Sequence, residues 1–129
     1  MNISLTKSLL LNFILRQIDN FFPDGADYSK IHLDKYLDIA LQRTEYCFSK
    51  INLKYYYDKG QVQFNHLNGD QYSMFLYLLS NTLYKNNVDL DLCSKLFALN
   101  KTLHGIDAYF EVELPEIFLF VHPLGTVLG

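Results

Sequence analysis

The sequence predicts a mainly α fold, four helices followed by the first coil of a parallel β-helix. Three observations predict it. Before Gly105, apolar residues recur at helical spacing in four separate stretches. Gly105 itself sits where a C-terminal cap glycine belongs. After it the period changes to six. Ile106, Val112, Phe118 and Leu124 form one column, and Ala108, Leu114 and Phe120 another, with Thr126 next in line. Such columns fit neither a helix stripe nor an alternating strand. They suit a chain that turns corners at fixed intervals between short flat strands. The change of period divides a helical domain, residues 1–105, from the start of a hexapeptide repeat, residues 106–129.

The first helix is expected over residues 5–21, with Leu10, Ile14, Ile18 and Phe21 on one stripe and Ser4 or Thr6 as its cap. Pro23-Asp24-Gly25 breaks it. The second runs over residues 30–51 behind Ser29 as N-cap. Its stripe is Leu33, Leu37, Ala40, Leu41, Thr44, Cys47, Phe48 and Ile51. Residues 54–57 and 62–64 read as strands of a small hairpin about Asp58-Lys59-Gly60, with an extended loop as the equal alternative. The third helix, residues 71–85, carries Tyr72, Phe75, Leu76, Leu79 and Leu83 on one face and ends at Asn86-Asn87. The fourth, residues 90–103, buries Leu92, Leu96, Leu99 and Leu103.

Composition narrows the function classes. A net charge of -3 with singly scattered lysines and arginines argues against nucleic acid and against a polybasic membrane patch. No stretch approaches the ~20 apolar residues of a membrane span. Residues 9–15 behind Lys7 have the look of a signal-peptide core, but Asn12 interrupts it, Arg16 closes it, and Phe21-Phe22-Pro23 offers no small-residue cleavage site. A cytoplasmic protein is expected. Cys47 and Cys93 read as buried thiols in a reducing compartment, a disulfide between them being the alternative. His32, His66 and His104 have no metal-ligand spacing and read as helix-surface or loop residues.

Residues 105–129, Gly-Ile-Asp-Ala-Tyr-Phe-Glu-Val-Glu-Leu-Pro-Glu-Ile-Phe-Leu-Phe-Val-His-Pro-Leu-Gly-Thr-Val-Leu-Gly, carry a more specific signal. The segment resembles serine acetyltransferases, acetyl-CoA-dependent enzymes with a helical N-terminal domain and a left-handed parallel β-helix. In that family an Asp-Ile-His-Pro stretch opens the β-helix. Fifteen residues after its Asp comes the His of His-Ala-Thr-Gly-Ile-Val-Val-Gly. Here Asp107 and His122 are also fifteen apart, and His122, Gly125, Val127 and Gly129 coincide with that second stretch. Asp70-Gln71-Tyr72-Ser73 is similar to the family's Asp-Lys-Tyr-Ser before a long helix.

The resemblance implies acetyl transfer from acetyl-CoA to a hydroxyl, serine or a related acceptor in cysteine biosynthesis. Histidine, with a pKa of about 6.5 in the free side chain, can take a hydroxyl proton near neutral pH. A carboxylate on its other ring nitrogen fixes the tautomer. By resemblance His122 is the base and Asp107 its orienting partner. Read locally instead, His122 is a solvated turn residue and Asp107 caps the turn after Gly105. Asp70 reads first as the N-cap of the third helix and otherwise as a substrate contact. Glu111, Glu113 and Glu116 alternate with apolar positions, as the outward face of the first strands would.

The pattern departs from the family in places. Val121 stands where the family has an Asp before the catalytic His, Pro123-Leu124 replaces two small residues, and Ala108-Tyr109-Phe110 replaces Ile-His-Pro. A sugar acceptor is therefore an alternative. The family's acetyl-CoA site lies along later coils between subunits, so cofactor contacts are expected beyond Gly129 and the chain reads as an incomplete form. The competing expectation is a non-catalytic helical oligomerisation module. Either reading makes a homo-oligomer the expected assembly.

Overall fold

The structure, a computed structural model, describes residues 1–129. Its order is β1 (Asn2–Ile3), α1 (Lys7–Phe21), α2 (Leu33–Ser49), β2 (Tyr57–Asp58), β3 (Gln61–Phe64), α3 (Gly69–Lys85), α4 (Leu90–His104), β4 (Asp107–Ala108) and β5 (Val127–Leu128). All four expected helices are present, and none is long and apolar enough to cross a membrane.

Each helix begins where local chemistry satisfies its first amide groups. Thr6 accepts the Leu9 N–H at 3.2 Å, Asn68 that of Gln71 at 3.2 Å, and Asp89 that of Leu92 at 2.9 Å. α2 is the exception. Its cap position is His32, without a side-chain bond: Ser29 lies in a turn in which its N–H donates to Asp27 and the Ile31 N–H to the Tyr28 carbonyl, and the helix starts later than expected. The expected stripes are buried, save Phe21, which lies 48% exposed at the end of α1, and Leu103, which is only partly buried near the end of α4. α3 is buried on every side from Gln71 to Leu83, so it is the axis on which α2 and α4 pack.

The hairpin forms, shorter than expected. Lys59 and Gly60 both take positive φ, 51° and 78°, between the paired residues Asp58 and Gln61, the two-residue turn that suits the twist of its strands. Residues 54–56 curl into a turn and bury Tyr56. A third strand, β1, adds in parallel to β3, with Asn2 opposite Gln63. Across the chain from it, Lys95 ties the loop after α1 to α4 through Asp24 at 2.7 Å and Asp91 at 3.2 Å.

No β-helix coil forms. Residues 106–129 make an irregular strap across the helices, with two-residue strands β4 and β5 as their entire sheet content. The reason lies in the two columns of six. A coil would turn them toward one interior, whereas Ile106 and Ala108 are sealed against the helices and Leu124 is 80% exposed. Helix side chains hold the strap in place of strand pairing. The Tyr77 hydroxyl donates to the Val112 carbonyl at 2.5 Å and accepts the Leu114 N–H at 3.1 Å. Asn81 donates to the Phe110 carbonyl at 2.8 Å, and Cys47 bonds the Phe118 carbonyl at 3.1 Å. Ile106, Ala108, Phe110 and Phe120 thereby join the same apolar core as the helices. Both cysteines are free and buried, and Tyr56, Tyr72 and Tyr77 are core residues.

Candidate functional site

Because Asn68 takes the cap of α3, Asp70 falls inside the first turn and its carboxylate is left over for other work. Both of its oxygens accept the backbone N–H of His122, each at 3.2 Å. The first reading of Asp70 as an N-cap is thus corrected. Two residues 52 apart in sequence meet here, one at the start of the central helix and one in the strap.

His122 adopts φ 47°, a left-handed conformation that a residue before proline rarely takes. The turn on its C-terminal side holds it there. The Thr126 N–H bonds the Pro123 carbonyl at 2.9 Å across a turn with Gly125 at φ 83°. The Gly125 N–H reaches the Gly105 carbonyl at 2.8 Å, and the Asp107 N–H the Thr126 carbonyl at 2.9 Å. The strained residue is therefore fastened on one side by Asp70 and on the other by the end of α4, the setting in which backbone strain marks a candidate site. The His122 imidazole is exposed and makes no hydrogen bond within the chain.

Asp107 lies on β4 beside Val127, but its carboxylate turns to Lys101 at 3.6 Å and makes no bond to His122. Glu111, Glu113 and Glu116 are all exposed, though not on strands, and Glu113 pairs with Lys85 at 3.0 Å, which holds its carboxyl below the usual range. His66 bonds Ser4 at 2.7 Å, away from this site.

His104 belongs to the site although its sequence reading was a surface histidine. It is the last residue of α4, half-buried, with Nδ1 2.8 Å from the Asn100 side-chain oxygen and its ring edge-on to Tyr72 at 5.8 Å. Burial lowers its pKa, and the nearby Asp70 carboxylate partly opposes that. Tyr56 also senses Asp70, though burial is the main cause that pushes its hydroxyl up to about 12. The readable signal for His104 was the Asn100–His104 pair one helical turn apart, beside a cap glycine.

An acetyl-CoA molecule needs cations for its phosphates. Residues 114–129 contain no Lys or Arg, and the neighbouring Lys101 is engaged by Asp107. The larger cavities, about 360 Å³ beside Arg16 and Lys95 and about 410 Å³ beside Arg16 and His66, are not lined by Asp70, Asp107 or His122. The residues present therefore do not fit the coenzyme. They form an acceptor-rich cluster suited to a small ligand that donates hydrogen bonds. Comparison of the chain with family models, with curated proteins and with solved structures returned no match.

Proposed function

We propose that Asp70 and His122 form the acceptor side of an O-acyl transfer site, in which a small hydroxyl compound is held and deprotonated. The observation that carries this reading is the carboxylate of Asp70 resting on the backbone of His122. The residue that the serine acetyltransferase resemblance makes the base, His122, and the one read second as a substrate contact, Asp70, meet through the His122 main chain. Asp70 keeps lone pairs free for a donor group of the ligand. The His122 ring takes the hydroxyl proton as general base. Serine is the acceptor that the resemblance implies, with sugars as the alternative because Val121 cannot contribute a carboxylate. The test is acyl transfer from a small activated ester that needs no coenzyme site, p-nitrophenyl acetate, to serine, homoserine and a panel of sugars, followed by nitrophenol release. Acceptor-dependent release that disappears in His122→Ala is the expected result. No release with any acceptor, or full release in the variant, rejects the reading.

A second reading, an assembly module, is favoured by a different observation. Residues 117–129 contain no Asp, Glu, Lys or Arg, and Ile117, Leu119, Val121, Leu124 and Val127 are each at least 40% exposed. A strip of that kind is typical of association surfaces. Light scattering decides it: a homo-oligomer that becomes monomeric on Val121→Lys supports the module, and a monomer at high concentration refutes it.

A further inference from the structure

The proton arrangement on His104 follows from its neighbours. Asn100 is buried, and its side-chain nitrogen donates to the Ser73 carbonyl at 3.0 Å. That commitment turns the Asn100 oxygen toward the histidine, and an amide oxygen can only accept. The hydrogen must therefore sit on Nδ1 of His104, 2.8 Å away. In the neutral ring Nε2 is then a bare lone pair, and it has no hydrogen-bond partner in the chain.

The position of that lone pair matters as much as its existence. The Cδ2–Nε2 edge lies against Gly69, where an added Cβ would come 3.5 Å from Cδ2 and 3.9 Å from Nε2. Gly69 has no side chain to cover the edge, and the next residue is Asp70. Tyr72 packs edge-on against the ring at 5.8 Å, its own hydroxyl occupied by Gln17 at 2.5 Å. The free nitrogen thus lies beside the first residue of α3, next in sequence to Asp70, whose charge acts on the ring. Resting on the acceptor-side reading above, we infer that His104 is a second proton-accepting group of the Asp70 site, gripping with Asp70 one hydrogen-bond-donating group of the ligand.

The pair works as an acceptor only while His104 is neutral. Burial favours that state. Protonation would place a cation and a new N–H beside Asp70, so the carboxylate would be met from within the protein and the ligand's donor group would lose both partners. Four other ionisable side chains lie near. Tyr72, on α3, packs edge-on against the ring, and its hydroxyl donates to Gln17. Lys101, on the same helix, is turned to Asp107 and the Phe97 ring; His122, on the strap, meets Asp70 through its backbone. Asp70 is the charged group whose field acts on His104. Ligand binding is accordingly present near neutrality and lost as acid titrates His104.

The test uses the full chain with L-serine as probe. Long-range ¹H–¹⁵N spectra are recorded across about pH 5 to 8, and L-serine is titrated into wild type, His104→Phe and Gly69→Leu. The Phe variant keeps the aromatic bulk. Gly69 has an ordinary φ and room for a Cβ, so its Leu variant shields Nε2 while leaving His104 in place. Expected are a bare Nε2 in neutral His104, a lower titration midpoint in Asp70→Asn, and affinity for L-serine weakened about tenfold in both variants, the loss of one charge-assisted hydrogen bond. Wild-type affinity should fall through the His104 midpoint. An Nε2–H tautomer, or wild-type affinity in His104→Phe, overturns the proposal. If wild type binds no L-serine, the acceptor reading for serine fails, and the tautomer and the response to Asp70→Asn decide the role of His104 alone.

Discussion

The carboxylate of Asp70 receives the backbone N–H of His122 through both oxygens, each at 3.2 Å, and so joins the first turn of the central helix to the most strained residue of the strap. A charge-assisted bond of this kind is directional, and it holds His122 in a conformation that Pro123 disfavours. Removing the carboxylate should release the loop as well as weaken ligand binding. Asp70→Ala is expected to destabilise the fold by only about 1 kcal/mol, since the pair lies at the surface, while amide exchange at His122 accelerates. Denaturant melts and hydrogen exchange check the two effects separately; unchanged exchange at His122 would show that the bond carries no restraint.

Gly105 meets two demands. It takes φ 63° to close α4, and a Cβ there would collide with the Leu124 side chain. Gly105→Ala should cost about 1–2 kcal/mol from the left-handed backbone, plus the clash. Adding Leu124→Ala should recover the steric part and leave the backbone part, a partition that a double-mutant cycle by chemical melts would read. Equal stability of the single and double variants would remove Leu124 from the account.

Tyr77 anchors the strap through one hydroxyl. Tyr77→Phe loses its bonds to Val112 and Leu114, about 1–3 kcal/mol together, with the ring still packed edge-on against Phe118. Proteolysis should then cut first within residues 111–121, ahead of any site in the helices. Cleavage elsewhere would mean that the strap is held by apolar contact alone.

The thiols should report strap opening. Burial pushes both pKa values up, Cys93 to about 11, so a thiol reagent near pH 8 meets protonated and covered sulfur. Cys47 is covered by the strap at Phe118, whereas Cys93 bonds the Ser80 carbonyl at 3.6 Å beneath α3. Cys47 is expected to react well before Cys93, and its lead should widen in Tyr77→Phe. Simultaneous modification would indicate global unfolding as the route.

Stability near neutrality should follow His104. Burial lowers its folded pKa below the 6.5 of the unfolded chain, with Asp70 opposing in part. Below 6.5 the unfolded chain binds the extra proton first, so the contribution is complete above that value and is lost as pH falls through the folded pKa. Asp24, Asp91 and Glu113 are also lowered, by their hydrogen-bonded partners, but their loss belongs to a separate acid window below about 4. His104→Phe should flatten the first slope and leave the second. A melt series against pH in which both slopes persist would assign the first to another group.

Where sequence reasoning held, it relied on local periodicity. The α2 stripe from Leu33 to Phe48 could be read directly because a helix repeats its core face every few residues. The period-six columns misled for the converse reason. A repeat states which residues are apolar but not what will cover them, and here the helices took Ile106 and Phe120 while Leu124 faced solvent. Asp70 was mistaken for a cap because Asn68, an equally good cap, stands two residues before it. His104 was overlooked because its significance depends on the side chain of Asn100 and the bareness of Gly69, neither of which has a periodic signature.

The amino-acid order by itself determined four helices, their buried faces, the turn at Lys59-Gly60 and the glycine that ends α4, since each depends on residues within a few positions of one another. The tertiary structure alone decided that residues 106–129 lie across the helices as a strap, and that Asp70, His104 and His122 share one place. Those outcomes depend on contacts between residues far apart in sequence, where hydrogen bonds from Tyr77, Asn81 and Cys47 competed with strand pairing for the same backbone groups. With the strap's apolar residues already taken into the helical core, no common interior remained for a coil to enclose.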